Sequence, residues 1–472
     1  MNDTPTLPTI LVIYGATGDL VAKKIIPALF HLHEKQKLPT VFRVIGFARR
    51  DLQDVYRAQV SDIVRAHAGN DLDEDSLESF LDFFHYHRGN FDEPAGYTEL
   101  ATKLGQIDGE WKTCSNKLFY LAVPPESYQT IFEQLSASGL TTPCGPDGGW
   151  TRVIVEKPIG RDAKTAEELD ELMGKLFKEE QIYRIDHYLA KEMVQNILTF
   201  RFSNSLFEDI WDNNFIERID IRLDEKIGVE KRGAFYDSLG TLRDVGQNHL
   251  LQMLAFATME QPEKFDADSI RSKRADILRM LTPWTDETLK AKTRRAQYDG
   301  YRQIDGVKPD SMVETFFHVE TSLDHPRWKG VPITIESGKR MGTLRKDMVI
   351  EFKHKTPCLC PPGQDHMKNG VTFQLEPDEK ISIQFWAKKP GLTFEVEERS
   401  LDLTLREPSA RTQYVEEYEK LLMDCIVGDQ TLFISTDEVK AMWAFTDPIV
   451  EAWAKDEVPM GTYKPDTDEA KR

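Results

Sequence analysis

The sequence predicts an α/β domain followed by a larger α+β domain with a mainly antiparallel sheet. Three observations predict it. As far as about residue 180, apolar runs alternate with amphipathic helical stretches, the pattern of a parallel sheet covered on both faces. Beyond residue 205, strand-like segments follow one another without helices between them, as in an antiparallel sheet. A chain of 472 residues also exceeds what one core organises, so two domains are expected, at 1–185 and 186–472.

The first strand is "TILVIYG", ending in Gly15, and a helical pattern runs from Asp19 to about His33. "FRVIGFA" is a second strand and "VYRAQVSDIVRAHAG" a second helix. "KLFYLAV" is another strand, followed by "PPESYQTIFEQLSASG", a helix that starts on proline, where a missing N–H costs nothing. "TRVIVEKP" is a further strand, and "PCGPDGG" at 143–149 is a turn inside the domain. In the second domain "FIERIDIRLDEKI" alternates as a strand with one buried face does. "MVETFFHVETSL", "VPITIESGKRM", "MVIEFK", "VTFQLEP" and "KISIQFWAKKP" continue the series, with helices such as "TLRDVGQNHLLQMLAFATM" packed on one face. The chain returns to helix in "QYVEEYEKLLMDCIVG" and "STDEVKAMWAFTDPIVEAW", and the last dozen residues read as a mobile tail.

Hydrophobic residues make up 40% of the chain and charged residues 29%, the balance of a folded globular protein. The net charge of -19 argues against nucleic acid as a partner, because a phosphate backbone selects basic surfaces. A small anion held by a few clustered Lys and Arg remains compatible with it. No apolar run approaches the ~20 residues that span a bilayer, so no membrane partner is expected. The start "MNDTPTLPT" has neither the basic nor the apolar part of a secretory signal. Five cysteines, few and odd in number, fit the reduced state of a cytoplasmic protein. Cys358 and Cys360 with His366 offer a metal reading, but the spacing is not CxxC; a turn around Pro361, Pro362 and Gly363 is preferred, and no metal is expected.

Six stretches carry chemistry. "IYGATGDLVAKK" puts Gly15 and Gly18 between a strand and a helix, where glycine lets a pyrophosphate approach the backbone and the helix N-terminus favours the anion. The third glycine of the usual dinucleotide loop is absent, Val21 standing there, and a tight structural turn is the competing explanation. "GFARR" ends the second strand with Arg49 and Arg50 where an acidic residue would select NAD; arginine there favours NADP, with use of NAD left open. "VIVEKPIG" ends a strand on Glu156, Lys157 and Pro158, at the ligand end of a parallel sheet.

"RDVGQNHLLQMLAFA" embeds Asp244, Asn248 and His249 in an apolar helix. Asp244 and Asn248, four apart, share a face. His249 is either a satisfied core histidine or a general base oriented by a carboxylate. "ESGKRMGTLRK" gathers Lys339, Arg340, Arg345 and Lys346 after a strand, and "RIDHYLAKE" crowds Arg184, Asp186, His187, Lys191 and Glu192 around Tyr188.

Together these motifs resemble the glucose-6-phosphate dehydrogenase family. "GATGDL", "GFARR", "FYLAVPP", "VEKPIGRD", "RIDHYLAKE", "RDVGQNHLLQML", "GVPITIESGKRM" and "GDQTLF" occur in the family's order, from about residue 9 to residue 460. The resemblance implies a Rossmann-like NADP-binding domain and oxidation of glucose 6-phosphate to its lactone by a cytoplasmic homodimer or homotetramer. It implies a nucleotide loop of Gly15, Thr17, Gly18, Asp19 and Leu20, with Arg49 at the 2′-phosphate and Tyr128 and Lys157 near the cofactor. Lys157 would also reach the sugar. His187, Tyr188 and Lys191 would bind phosphate, Glu225 and Asp244 the sugar hydroxyls, and Lys339 the substrate; His249 would be the base and Asp186 its paired carboxylate. Arg184 and Glu192 take structural ion pairs by default.

Two positions depart from the family pattern. Ala190 replaces a usual glycine, which should leave the site intact. Five positions after Lys339, where the family often has a second basic residue, stands Leu344; either Arg345 substitutes or the contact is missing. The alternatives to this reading are another sugar or sugar-phosphate dehydrogenase with the "EKP" strand end, and a non-catalytic dinucleotide-binding redox sensor.

Overall fold

The computed structural model describes residues 7–69, 72–144, 148–354, 357, 367–405 and 415–471. Cys358, Cys360, Pro361, Pro362, Gly363 and His366 lie outside them. The chain divides into two compact units, one of residues 1–190, 266–268 and 415–439, the other of 191–265, 269–414 and 440–472. Among the described residues no helix is long and apolar enough to cross a membrane.

The first unit is built on six parallel strands, β1 (Thr9–Tyr14), β2 (Phe42–Ala48), β3 (Phe84–Arg88), β4 (Asn116–Leu121), β5 (Thr151–Val155) and β6 (Ile182–Ile185), in the order 3-2-1-4-5-6. All six residues of β1 and all six of β4 are buried, because helices cover both faces and leave no polar side. The strand order reverses between β1 and β4, which opens a crevice at their carboxyl ends. A two-residue strand from the distant carboxyl part, Phe433–Ile434, pairs antiparallel with β6 and closes that edge. Just before it, the helix Glu417–Val427 takes the Arg152 guanidinium on its last carbonyls, Nη1 lying 2.6 Å from the Cys425 oxygen and 2.9 Å from that of Ile426. A cation at a helix carboxyl terminus satisfies acceptors that have no partner within the helix.

Cys114 and Cys144 are joined by a disulfide, which corrects the expectation of reduced thiols throughout. Their Cα atoms lie 6.1 Å apart, and Gly149 donates its N–H to the Cys114 carbonyl at the entry to β4. Cys425 is a free, buried thiol.

The second unit carries β7 (Ile216–Asp224), β8 (Thr293–Tyr298), β9 (Phe316–Thr321), β10 (Ile333–Gly338), β11 (Arg345–Phe352), β12 (Gly370–Glu376), β13 (Lys380–Lys388) and β14 (Val396–Thr404). After β15, the short edge strand already described, β16 (Met460–Tyr463) completes a sheet of order 14-13-12-11-7-10-9-8-16. Only the pairs β7–β10 and β8–β16 are parallel. The expected mobile tail is therefore structured: β16 pairs with β8, and Tyr463 is buried.

The helix that holds the polar trio is continuous through Leu242–Leu250, where the turns widen to π-helical spacing, and Leu251–Thr258. Three buried donors anchor its carboxyl end. Arg201 Nη1 reaches the Phe256 carbonyl at 2.9 Å, Trp211 Nε1 that of Ala257 at 2.8 Å, and Trp328 Nε1 that of Thr258 at 2.7 Å. Each such bond contributes about 1 kcal/mol net, and leaving a buried carbonyl without one costs about 1–3 kcal/mol, so the helix is fixed in register.

Candidate active site

In the first unit the glycine loop is shaped by contact. Gly15 has φ of +78°, and a Cβ there would stand 2.4 Å from the Ala122 carbonyl oxygen at the end of β4. Gly18 turns back to donate its N–H to the Gly15 carbonyl at 2.9 Å. A cavity of about 550 Å³ opens beside the loop, lined by Gly15, Thr17, Gly18 and Arg49 among others. Such a cradle, at a strand-to-helix turn with an arginine at its rim, fits a dinucleotide. Asp19 and Leu20 open the helical turn, and Asp19 is exposed, 2.8 Å from the Lys23 ammonium. Arg49 is exposed too, but its main chain is held from β3: Tyr86 Oη lies 2.5 Å from the Arg50 carbonyl and 3.1 Å from that of Ala48.

Tyr128 is buried, and its hydroxyl both donates to the Glu156 carbonyl (3.0 Å) and accepts the Glu156 N–H (3.1 Å). It thus fixes the main chain immediately before Lys157. The Glu156 carboxylate accepts from Tyr120 Oη at 2.5 Å and Tyr418 Oη at 3.2 Å, and burial pushes its pKa up.

β6 ends in a tight turn. Asp186, fully buried, accepts the Tyr188 N–H at 3.0 Å, while Leu189 N–H reaches the Asp186 carbonyl at 3.0 Å and Ala190 N–H that of His187 at 3.2 Å. The His187 ring packs 5.1 Å from that of Tyr188. Ala190 is not among the residues with positive φ, so alanine incurs no strain there that glycine would relieve. Arg184 carries no site chemistry: it is buried, with Nη2 2.7 Å from Asp170 and Nη1 2.9 Å from Glu179. Lys191, the first residue of the second unit, stands at the N-cap of the helix Glu192–Phe202.

In the second unit, Asp244, Asn248 and His249 are all buried on the wide-turned helix. Asn248 donates to the Asp244 carbonyl at 3.1 Å and accepts the His249 N–H at 2.6 Å, so the local backbone is tied around the histidine. Wide π-type turns are found often at functional sites. The Lys339 ammonium pairs with the Glu225 carboxylate and lies 5.8 Å from the ring centre of Tyr236. Tyr236 keeps its proton far above the ordinary range, through burial first and then the Asp244 and Glu314 carboxylates. Tyr236 thus lies within reach of both the Asp244 charge and the Lys339 ammonium.

Sequence reading missed Lys346. Its ammonium lies 2.9 Å from Glu376 and 3.8 Å from Glu225, and its side chain is largely buried. Arg345, the residue weighed for this place, instead pairs with Asp347 at 2.7 Å and is 40% exposed. The second cation beside Glu225 comes from the position after the one considered.

Comparison with known proteins agrees along the whole chain. Residues 12–196 match the family described as "Glucose-6-phosphate dehydrogenase, NAD binding domain", and residues 198–472 the "Glucose-6-phosphate dehydrogenase, C-terminal domain". Glucose-6-phosphate 1-dehydrogenase of Chlamydia pneumoniae is 39% identical over 96% of this chain and 91% of its own. That of Aggregatibacter actinomycetemcomitans is 40% identical, covering 93% and 90%. A solved "Glucose-6-phosphate dehydrogenase in complex with its substrate glucose-6-phosphate" superposes with a TM-score of 0.88 at 33% identity, over 98% of this chain and 96% of that one.

Proposed function

The chain belongs to the glucose-6-phosphate dehydrogenase family, and we propose that it oxidises D-glucose 6-phosphate to 6-phospho-D-glucono-1,5-lactone with hydride transfer to NADP+. The observation that carries the reading is the near full-length superposition on a relative solved with the sugar phosphate. The reading carries with it the first step of the oxidative pentose phosphate pathway, a cytoplasmic location and a homodimer or homotetramer.

NADP+, when bound, supplies the hydride acceptor. The chain does the rest. His249 takes the proton of the C1 hydroxyl as C1 gives up its hydride and becomes a carbonyl. Asp186 orients the imidazole and balances the charge it gains. His187, Tyr188 and Lys191 hold the phosphate at the other end of the sugar, and binding energy gathered there serves to orient C1. Glu225 and Asp244 accept from sugar hydroxyls. Lys339 and Lys346 fix the Glu225 carboxylate from two sides, which supports placing them beside the sugar. Gly15, Thr17, Gly18, Asp19 and Leu20 form the pyrophosphate loop, Arg49 meets the 2′-phosphate, and Lys157 reaches both cofactor and sugar. Tyr128 acts through the Glu156 main chain, which it clamps from both sides.

Steady-state kinetics with glucose 6-phosphate, free glucose, NADP+ and NAD+ test this. Turnover is expected with glucose 6-phosphate, and Lys191→Ala should raise KM for it much more than for glucose. No turnover of glucose 6-phosphate with either cofactor overturns the assignment.

A further inference from the structure

The carboxyl-terminal segment after β16 lies along the loop that carries Lys339. Tyr463, buried, places Oη 2.6 Å from the Lys339 carbonyl, and 3.0 Å from Thr315 Oγ1. Thr315 in turn accepts the Lys339 N–H at its own carbonyl, at 2.9 Å. Arg340 has φ of +52°, a left-handed conformation that a side chain other than glycine's adopts only when its surroundings enforce it. Here Asp466 enforces it twice. Its N–H donates to the Arg340 carbonyl at 2.6 Å, and its carboxylate takes Arg340 Nε at 2.9 Å and Nη2 at 2.5 Å.

The contacts continue residue by residue. Gly342 N–H donates to the Thr467 carbonyl at 3.0 Å, and a Cβ on Gly342 would stand 3.0 Å from the Thr467 main chain. Thr343 Oγ1 donates to Asp468 at 2.8 Å. The segment then crosses to the other member of the pair: Lys471 Nζ lies 2.7 Å from the carboxylate of Asp224, which is fully buried and immediately precedes Glu225. Residues 463–471 therefore hold the main chain at Lys339 and the residue next to Glu225 at the same time.

We infer that the carboxyl-terminal segment Met460–Lys471 is a positioning strap for the Lys339–Glu225 pair, so that affinity for the sugar phosphate depends on Tyr463, Asp466 and Lys471, none of which touches it. This rests on the reading of Lys339 and Glu225 as substrate residues. A strap that served only to hold the fold together would lower stability without discriminating between the two substrates of the enzyme. A positioning strap acts on one of them.

Removing the whole segment would expose β8, so the test uses single-group changes in the full chain. Tyr463→Phe deletes one hydroxyl, and Asp466→Asn weakens a partly exposed pair. Each should raise KM for glucose 6-phosphate by about three- to tenfold while KM for NADP+ stays within about twofold and kcat is little changed. In a Lys339→Ala background the same changes should add nothing further, because the group they position is gone. Unchanged KM for glucose 6-phosphate in both strap variants overturns the inference, as does an equal added effect in the Lys339→Ala background. If Lys339→Ala itself leaves that KM unchanged, the substrate reading of Lys339 has failed and the strap falls with it. If Lys339→Ala raises it and the strap variants do not, the strap alone is wrong.

Discussion

The Lys346 ammonium stands 3.8 Å from the carboxylate of Glu225, on the side away from its sequence neighbour Arg345, which turns to Asp347. Lys346→Met is therefore expected to raise KM for glucose 6-phosphate about ten- to hundredfold, the loss of a charge-assisted contact. Arg345→Ala, which breaks a half-exposed pair, should change it less than about twofold. Steady-state kinetics of the two variants decide between them, and a larger effect at Arg345 would reverse the assignment.

His249 sits where its main chain is tied to Asn248 and the helix behind it is anchored by Arg201, Trp211 and Trp328. Replacing the ring should leave this scaffold alone. His249→Asn is expected to lower kcat about 100- to 10,000-fold with KM for glucose 6-phosphate nearly unchanged. Near-normal turnover would remove His249 as the base.

Arg49 stands at the rim of the cofactor cavity on a main chain that Tyr86 holds. Arg49→Ala should weaken NADP+ about ten- to hundredfold and leave NAD+ nearly untouched, since only one cofactor carries the 2′-phosphate. The ratio of the two KM values reads this directly. Equal losses for both cofactors would place the arginine elsewhere.

Burial pushes the Asp224 carboxyl up to about 7, against the pull of Lys471 and Arg222 and with the help of Glu336. A carboxyl raised in the folded state binds a proton there that the unfolded chain releases near pH 4, so protonation favours folding. That contribution is whole below about pH 4 and is lost as pH rises through about 7. Asp224→Asn cannot titrate. The difference in Tm, wild type minus variant, should fall between about pH 4 and 7. A difference that is flat across this range would mean that Asp224 is ionised throughout.

The parallel strands β1, β2, β4 and β5 were legible because each holds an apolar run, such as Leu118–Leu121 in β4, whereas β6, only four residues long, was not. Strand β3, "FHYHR", was not, since two histidines and an arginine disguise it, and β14 was not, since most of its side chains are exposed and only pairing with β13 makes it a strand. The tail misled for the same reason: Tyr463 and Lys471 find partners more than a hundred residues away, which composition does not register. In the site, the glycine loop and the buried polar helix stand out by type and spacing, but the choice between Arg345 and Lys346 depends on strand parity. Met348 and Ile350 are fully buried in β11, and Lys346 shares their face at period two. Counting back from the apolar residues, instead of forward from Lys339, would have picked it out.

The two-residue strand β15 has a consequence for synthesis. A chain made from its amino end produces β1 to β6 early, yet the edge of β6 stays open until residue 434 of 472 has been added. Until then Arg184 lacks Thr436, and Arg152 lacks the carbonyls of Cys425 and Ile426. The sheet of the cofactor unit thus cannot close before Phe433 and Ile434 have been made, and an unpaired strand edge invites association with other chains. A frameshift upstream of Phe433 would therefore damage the nucleotide fold encoded far before it.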